Sequence, residues 1–472
     1  MKSSVKENKM GYMPENKLLL SMSIPMMLSM LIQALYNIVD GLFVAGISPE
    51  KYEYTAVNLA LPAQNLMIAV AVGSGVGINA LISRYLGLRN KERADKVAGQ
   101  GAFIAMMSYL LFAIFGTLAA RPYFELMTSD IADETARSLV ISYGVSYLTI
   151  CFVLSFGFFT QVVCEKYMQS TGKTTLSMTT QLVGAVTNII LDPILINGMF
   201  GIPAMGIQGA AYATVTGQII SAIVGICLQK YKNTEIAIKL ENVIKPDKKL
   251  IEDIFKIGLP SILMNSVGSV MTATFNTIIM PLSDYAVNIF GTYFKLQSFV
   301  FMPVFGFNNG MISIISYNYG ARNKKRMLRT IKLGFIYAVL MMLVGFAVFQ
   351  LLPKELLSMF GMVGPGTDPK IESIGITAFQ TISISFIFAG FSIICSAVFQ
   401  ALGYSLFSMF VSIGRQLVTL LPVAYLIARF TQNIDLVWWS FPIAEIVCVI
   451  LSIIFYVYIY KRKIKTIPDN IN

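Results

Sequence analysis

The sequence predicts an all-α polytopic membrane protein with twelve transmembrane helices arranged as two six-helix lobes. Three observations predict it. Of 472 residues, 56% are hydrophobic and only 13% charged, and the mean hydropathy is +0.68. A soluble chain of this length would need far more polar surface. The apolar residues fall into twelve runs, several of them longer than a bilayer requires. The polar gaps between the runs alternate in charge.

The runs lie at roughly 18–47, 54–86, 96–120, 137–164, 174–198, 205–229, 250–280, 285–318, 328–352, 372–400, 404–430 and 434–460. In hydrocarbon each must satisfy its own backbone hydrogen bonds, so each is a helix. The excess over twenty residues permits tilt or protrusion.

The gap after the second run carries Arg84, Arg89, Lys91, Arg93 and Lys96, and the gap after the eighth carries Arg322, Lys324, Lys325, Arg326 and Arg329. The long gap 230–249 holds Lys230, Lys232, Lys239, Lys245, Lys248 and Lys249. The intervening gaps are acidic, with Glu125, Asp130, Asp133 and Glu134 in one and Glu355, Asp368 and Glu372 in another. The positive-inside rule then puts both termini in the cytoplasm of a multi-pass plasma-membrane protein. It also accounts for the net charge of +11 without nucleic acid as a partner. The reading divides the chain into an arm 1–17, a lobe 18–229, a cytoplasmic linker 230–249, a second lobe 250–460 and a tail 461–472.

Composition excludes much chemistry. There is no histidine, so histidine-based triads, metalloprotease motifs and proton relays are absent. The five cysteines form no CxxC pair, and neither a zinc site nor a disulfide framework is indicated. No cofactor is expected.

The chain repeats itself. GLRNKER (87–93) resembles GARNKKR (320–326). At the same spacing Gly73 and Gly77 match Gly306 and Gly310. At nearly that spacing Gln169, Gly172, Ser177 and Met178 match Gln400, Gly403, Ser408 and Met409. Recurrence at one spacing argues for duplication. Each half holds six helices, an even number, so the halves are parallel repeats, a transporter architecture.

The first run carries a polar stripe: Ser29, Gln33, Tyr36, Asn37 and Asp40 share one helical face. A carboxylate inside a bilayer costs roughly 2.5–3.5 kcal/mol on insertion scales. Asp40 therefore needs a cavity or a partner. In the fifth run Asn188 and Asp192 lie one turn apart. Both acids sit about 10 Å from the outer end of their helices, so they could share a site. Desolvation and mutual repulsion would favour a held proton; the same oxygens with Asn188 suit a hard cation such as Na⁺. Two plainer readings compete. Asp192 precedes Pro193, a pairing that can restart a broken helix, and Asp40 is interfacial if its helix ends early. Glu165, beside Lys166, reads as interfacial. In the second half, Asn265, Ser269, Thr272 and Asn276 form a stripe without an acid. Lys295, Arg415 and Glu445 lie at similar depth, as a neutralising cluster or a cavity lining with Asn276. Glu445 is expected to pair with one of the two basic residues. The GxGxG at Gly73, Gly75 and Gly77 is read as close helix packing.

IPMMLSMLIQALYNIVDGLFVAG, GSGVGINALISRYLG, TNIILDPILI, FKLQSFVFMPVFGFNNG and the paired GxRNKxR loops resemble the multidrug and toxic compound extrusion (MATE) family over roughly residues 15–460. LISRYLG looks like its MepA-like branch, with the DinF-like members. The resemblance implies two six-helix lobes, rocker-switch alternation, and export of amphipathic, often cationic drugs in exchange for H⁺ or Na⁺, by a monomer among membrane lipids. It implies a coupling-cation site at Asp40, Asn188 and Asp192 with Thr214 as hydroxyl partner, and a bend at Pro25. One departure is that the family's basic-x-acidic pair in the eighth helix is here Lys295 with Gln297. The rival readings are an exporter of lipid-linked sugars or another small molecule, and an intramembrane enzyme. The enzyme lacks any nucleophile–base pair or ligand set.

Overall fold

The computed structural model describes residues 8–47, 52–129, 131–283, 285–364 and 367–468. Among them, 12 helices are long and apolar enough to cross a membrane. They are α1 (Glu15–Ala45), α2 (Tyr52–Gly87), α3 (Lys91–Leu118), α4 in two pieces (Glu134–Val153 and Phe156–Ser170), α5 (Thr174–Asn197), α6 (Ile207–Lys232), α7 (Lys248–Ile279), α8 (Ala286–Gly320), α9 (Lys324–Leu351), α10 (Pro369–Ala401), α11 (Ser405–Thr431) and α12 (Ile434–Ile464). The fold is all-α, with one candidate membrane span for each apolar run.

The sequence repeats are repeats of backbone geometry. Arg89 and Arg322 occupy the same position of the paired loops, and both are left-handed, with φ 56 and 54°. The next residue, Asn90 or Asn323, caps the following helix: its side-chain oxygen accepts from Arg93 N at 3.0 Å or Arg326 N at 3.2 Å. Such a cap satisfies one of the donors a helix start leaves open. Gly172 and Gly403 are likewise left-handed, at φ 82 and 83°, where glycine alone carries no Cβ penalty.

The chain divides into two compact units, one of Leu28–Gly258 and the other combining residues up to Met27 with those from Leu259 onward. Both divisions fall inside helices, beside Pro25 of α1 and Pro260 of α7. Proline removes a backbone hydrogen bond from a helix interior and loosens it there. In the second unit the first half of α1 lies on α8. A β-carbon added at Gly310 would come within 2.7 Å of Ser23 Oγ, and one at Gly306 would crowd the Met26 carbonyl. In the first unit the first half of α7 lies on α2. A β-carbon at Gly77 would overlap the Ile254 carbonyl oxygen, and one at Gly258 would approach the Ser74 Cα at 3.1 Å. The recurring glycines thus let backbones approach closely.

The arm preceding α1 is held from residue 8 onward. A short helix, Lys9–Tyr12, is capped by Asn8. Arg326 donates to the Met13 carbonyl at 2.5 Å, and Tyr337 donates to Asn16 at 2.5 Å. An aromatic core fills the second unit around Phe290, whose ring lies 4.6 Å from Phe275 and 6.1 Å from the fully buried Trp438. In the first unit Phe112, Phe124, Phe152 and Tyr147 play that part.

Two features depart from uninterrupted helices. The run expected as one fourth helix breaks at Leu154 and Ser155. Residues Gly414–Leu420 of α11 form a π-helical stretch, a geometry that widens the turn and turns side chains off their α-helical faces.

Candidate functional site

The site is built where α5 and α6 cross at glycines. A β-carbon at Gly217 would lie 2.7 Å from the Gly184 carbonyl oxygen, and one at Gly184 would lie 2.9 Å from Ser221 Oγ. This tight crossing sets Asn188 against α6. Its side-chain nitrogen donates to Asp192 Oδ1 at 3.2 Å and reaches Thr214 Oγ1 at 3.4 Å. Asp192 and Asn188 are buried, with 0% and 3% exposure. Helix α5 continues through Pro193 to Asn197, so Asp192 does not start a new helix. Helix α1 likewise continues past Asp40 to Ala45.

Asp40 and Asp192 lie within electrostatic reach of each other, and the Tyr36 hydroxyl lies within reach of both. Tyr147 and Cys151 of α4 also face Asp40. Three buried oxygens of this group have no hydrogen-bond partner among the described residues: Asp40 Oδ1, Asp192 Oδ2 and Asn188 Oδ1. Buried acceptors without donors are costly. The arrangement of two carboxylates, an amide and a hydroxyl offers oxygens to a proton or a hard cation. No cluster of three His, Cys, Asp or Glu side chains occurs among the described residues.

The other residues singled out by sequence are dispersed. Gln33 is half-buried on α1, and Pro25 belongs to the other unit. The side chain of Asn37 lies outside the described residues. In the second unit Glu445 Oε2 accepts from Arg415 Nη1 at 3.1 Å, so the expected pairing is made with Arg415. Lys295 is exposed. Asn276 Oδ1 is buried without a partner among the described residues. Sequence reasoning missed Gln64 of α2, which donates to the Tyr147 hydroxyl at 3.3 Å. The visible signal was the amide pair Gln64 and Asn65 within an apolar run. Glu165, expected at the interface, and its neighbour Lys166 are both packed inside the protein near the end of their helix, at 4% exposure each. Glu165 accepts from Gln161 at 3.0 Å and Gln181 at 2.9 Å, and Lys166 donates to Gln169 at 3.1 Å. These amides make the burial tolerable.

Comparison with known proteins follows the geometry. A family model described as MatE matches residues 25–194 and 260–426. The chain is 27% identical over 468 residues to the multidrug export protein MepA of Staphylococcus haemolyticus, covering 98% of each. It is 25% identical to MepA of Staphylococcus aureus, over 96% of this chain and 95% of that protein. Among solved structures it is similar to an outward-facing multidrug resistance MATE family transporter of the MOP superfamily, with TM-score 0.88 at 25% identity, covering 98% of this chain and 100% of the other. It is also similar to a MOP superfamily transporter from Pyrococcus furiosus whose binding pocket is described as of reverse polarity, with TM-score 0.87 at 25% identity and the same coverage.

Proposed function

We propose that this chain, which belongs to the MatE family of transporters, is a cation-coupled multidrug exporter of the cell membrane that works by alternating access, with Asp40, Asn188, Asp192 and Thr214 binding the coupling cation. The observation that carries the coupling assignment is the set of unpartnered buried oxygens on Asp40, Asp192 and Asn188. A proton or Na⁺ arriving there removes the cost of leaving them bare. Export of drugs is supported by the similarity to multidrug export proteins over nearly the whole chain. Alternating access is supported by similarity to family members known in outward-facing, straight and bent conformations. The two divisions beside Pro25 and Pro260 are suitable places for such a change to be absorbed.

The cation acts through differential affinity. It binds one state better than the other and shifts the equilibrium by that difference alone. Tyr36 lies beside both carboxylates, and Tyr147 beside Asp40. Arg415, Glu445, Asn276 and the exposed Lys295 then supply polar groups in the other unit toward substrates. The test is ethidium efflux from proteoliposomes under a pH gradient and a sodium gradient imposed separately. Efflux under one gradient identifies the coupling ion. Equal efflux with and without either gradient contradicts coupled transport.

A further inference from the structure

We propose that the crevice between α3 and the second piece of α4 holds an acyl chain of an anionic phospholipid, with the lipid phosphate seated at Lys230 and Lys239. A cavity of about 290 Å³ runs along this crevice, from Tyr109 and Phe156 at one end to Tyr167 and Ile238 at the other. All of it lies within the first unit.

The crevice is the uncovered continuation of a strip of α3 that the linker covers. Asp95 accepts from the backbone of Ala237 at 2.7 Å. Gln100 donates to the carbonyls of Asn242 at 2.6 Å and Lys245 at 3.1 Å, and accepts from Asp247 N at 3.1 Å. A β-carbon at Gly99 would overlap Asn242. Asp95, Gly99, Ala102, Met106 and Tyr109 follow one another at helical spacing along one face. The linker covers the first two, and beyond Ile238 the same face stays open.

What fills that opening follows from its surroundings. Its lining is mostly apolar, and Met106, Phe156 and Ile226 at its rim are exposed. In a membrane-spanning segment the neighbouring solvent is hydrocarbon. An apolar void loses packing contacts unless filled, and an acyl chain fills it without desolvating a polar group.

The linker end supplies the charge. Ile226 lines the crevice, and Lys230 follows one turn later on the same face of α6. Ile238 closes the crevice, and Lys239 comes next in the chain. Both lysines are exposed. The acids near Lys239 are Glu92 and Glu241. Each already pairs with another lysine, Glu92 with Lys96 at 2.8 Å and Glu241 with Lys245 at 3.1 Å. Glu235, between the two lysines in the chain, acts on Lys173, so each of these acids has another lysine beside it and the local balance is positive. The linker also exposes Leu240 and Ile244 between its lysines, the composition of a segment lying in a lipid headgroup layer.

The test uses the full chain in phosphatidylcholine nanodiscs. Trace phosphatidylglycerol or phosphatidylcholine carrying a diazirine on one acyl chain is photolysed, and labelled peptides are mapped. The expected result is labelling of 102–109 and 156–167, stronger with phosphatidylglycerol. Ala105→Trp fills the crevice and should remove that labelling. Lys230→Gln and Lys239→Gln, both on the surface, should each lower the phosphatidylglycerol preference by about fivefold while phosphatidylcholine labelling stays the same. Gel filtration confirms that each variant is folded. Equal labelling by the two lipids in the unmutated protein would overturn the proposal. So would labelling that survives Ala105→Trp in a folded variant, or labelling that excess ethidium abolishes, which would assign the crevice to a transported cation.

Discussion

Removing Arg415 alone should destabilise the protein more than removing Arg415 and Glu445 together. The pair is held at 3.1 Å, with the arginine side chain 30% exposed and the glutamate 5%. At a charge separation of roughly 4 Å the attraction is about 4 kcal/mol for an effective dielectric near 20. Glu445 is the more buried partner, and its other oxygen has no partner among the described residues. Arg415→Met therefore strands a buried carboxylate, at a cost of about 3–5 kcal/mol. Glu445→Leu strands the less enclosed partner of the pair, so its cost lies at or below the lower end of that range. The double variant removes both desolvation penalties and should lie close to the unmutated protein. The assay is the fraction of detergent-solubilised protein that stays monodisperse after heating. The predicted order of midpoints is unmutated and double variant together, then Glu445→Leu, then Arg415→Met. Losses that add in the double variant would refute the reasoning.

Gly77→Ala should lower the same midpoint, because the new β-carbon meets the Ile254 backbone, which cannot step aside cheaply; overpacking of this kind costs about 1–3 kcal/mol. Gly291→Ala, with nothing within 4 Å of the added carbon, is the control and should leave the midpoint unchanged. The alternating charge of the gaps predicts that Lys239→Cys reacts with an impermeant maleimide only from the cytoplasm and Glu134→Cys only from outside; the reverse pattern would invert the proposed topology. Asp130, another acid of that outer gap, lies outside the described residues, and Glu134 stands in for it as an exposed position.

Much of this was legible in the sequence because a bilayer imposes strong local rules. Twelve helices follow from apolar length and the backbone's need for internal hydrogen bonds. The paired Arg-Asn positions were visible as repeats, and their meaning is a left-handed residue followed by a side-chain cap; at Gly172 and Gly403 the left-handed residue recurs without that cap. Asn188 and Asp192 could be placed together because four residues make one helical turn. The proximity of Asp40 to Asp192 rested on equal depth, a weaker argument, since depth does not decide which helices are neighbours. The pairing of Glu445 with Arg415 rather than Lys295 shows the same limit. What stayed hidden depends on tertiary contacts. No proline marks the break at Leu154 and Ser155, and beside it Gly157 packs against Ile219 of α6. The burial of Glu165 depends on two amides, Gln161 on its own helix and Gln181 on α5, and only the first is visible from helical spacing. The divisions inside α1 and α7 reflect which neighbours each half packs on, and helix periodicity cannot carry that.

The coupling assignment is tested most directly by gradient-driven efflux of ethidium in Asp40→Asn, Asp192→Asn and the double variant, at matched expression. Amidation keeps the size and most of the hydrogen bonding while removing the carboxylate charge. On the proposed assignment each single variant should fold but no longer respond to an imposed gradient, and the double variant should be little worse than either, as expected of two acids forming one unit. Full gradient-driven efflux by Asp40→Asn would contradict the account.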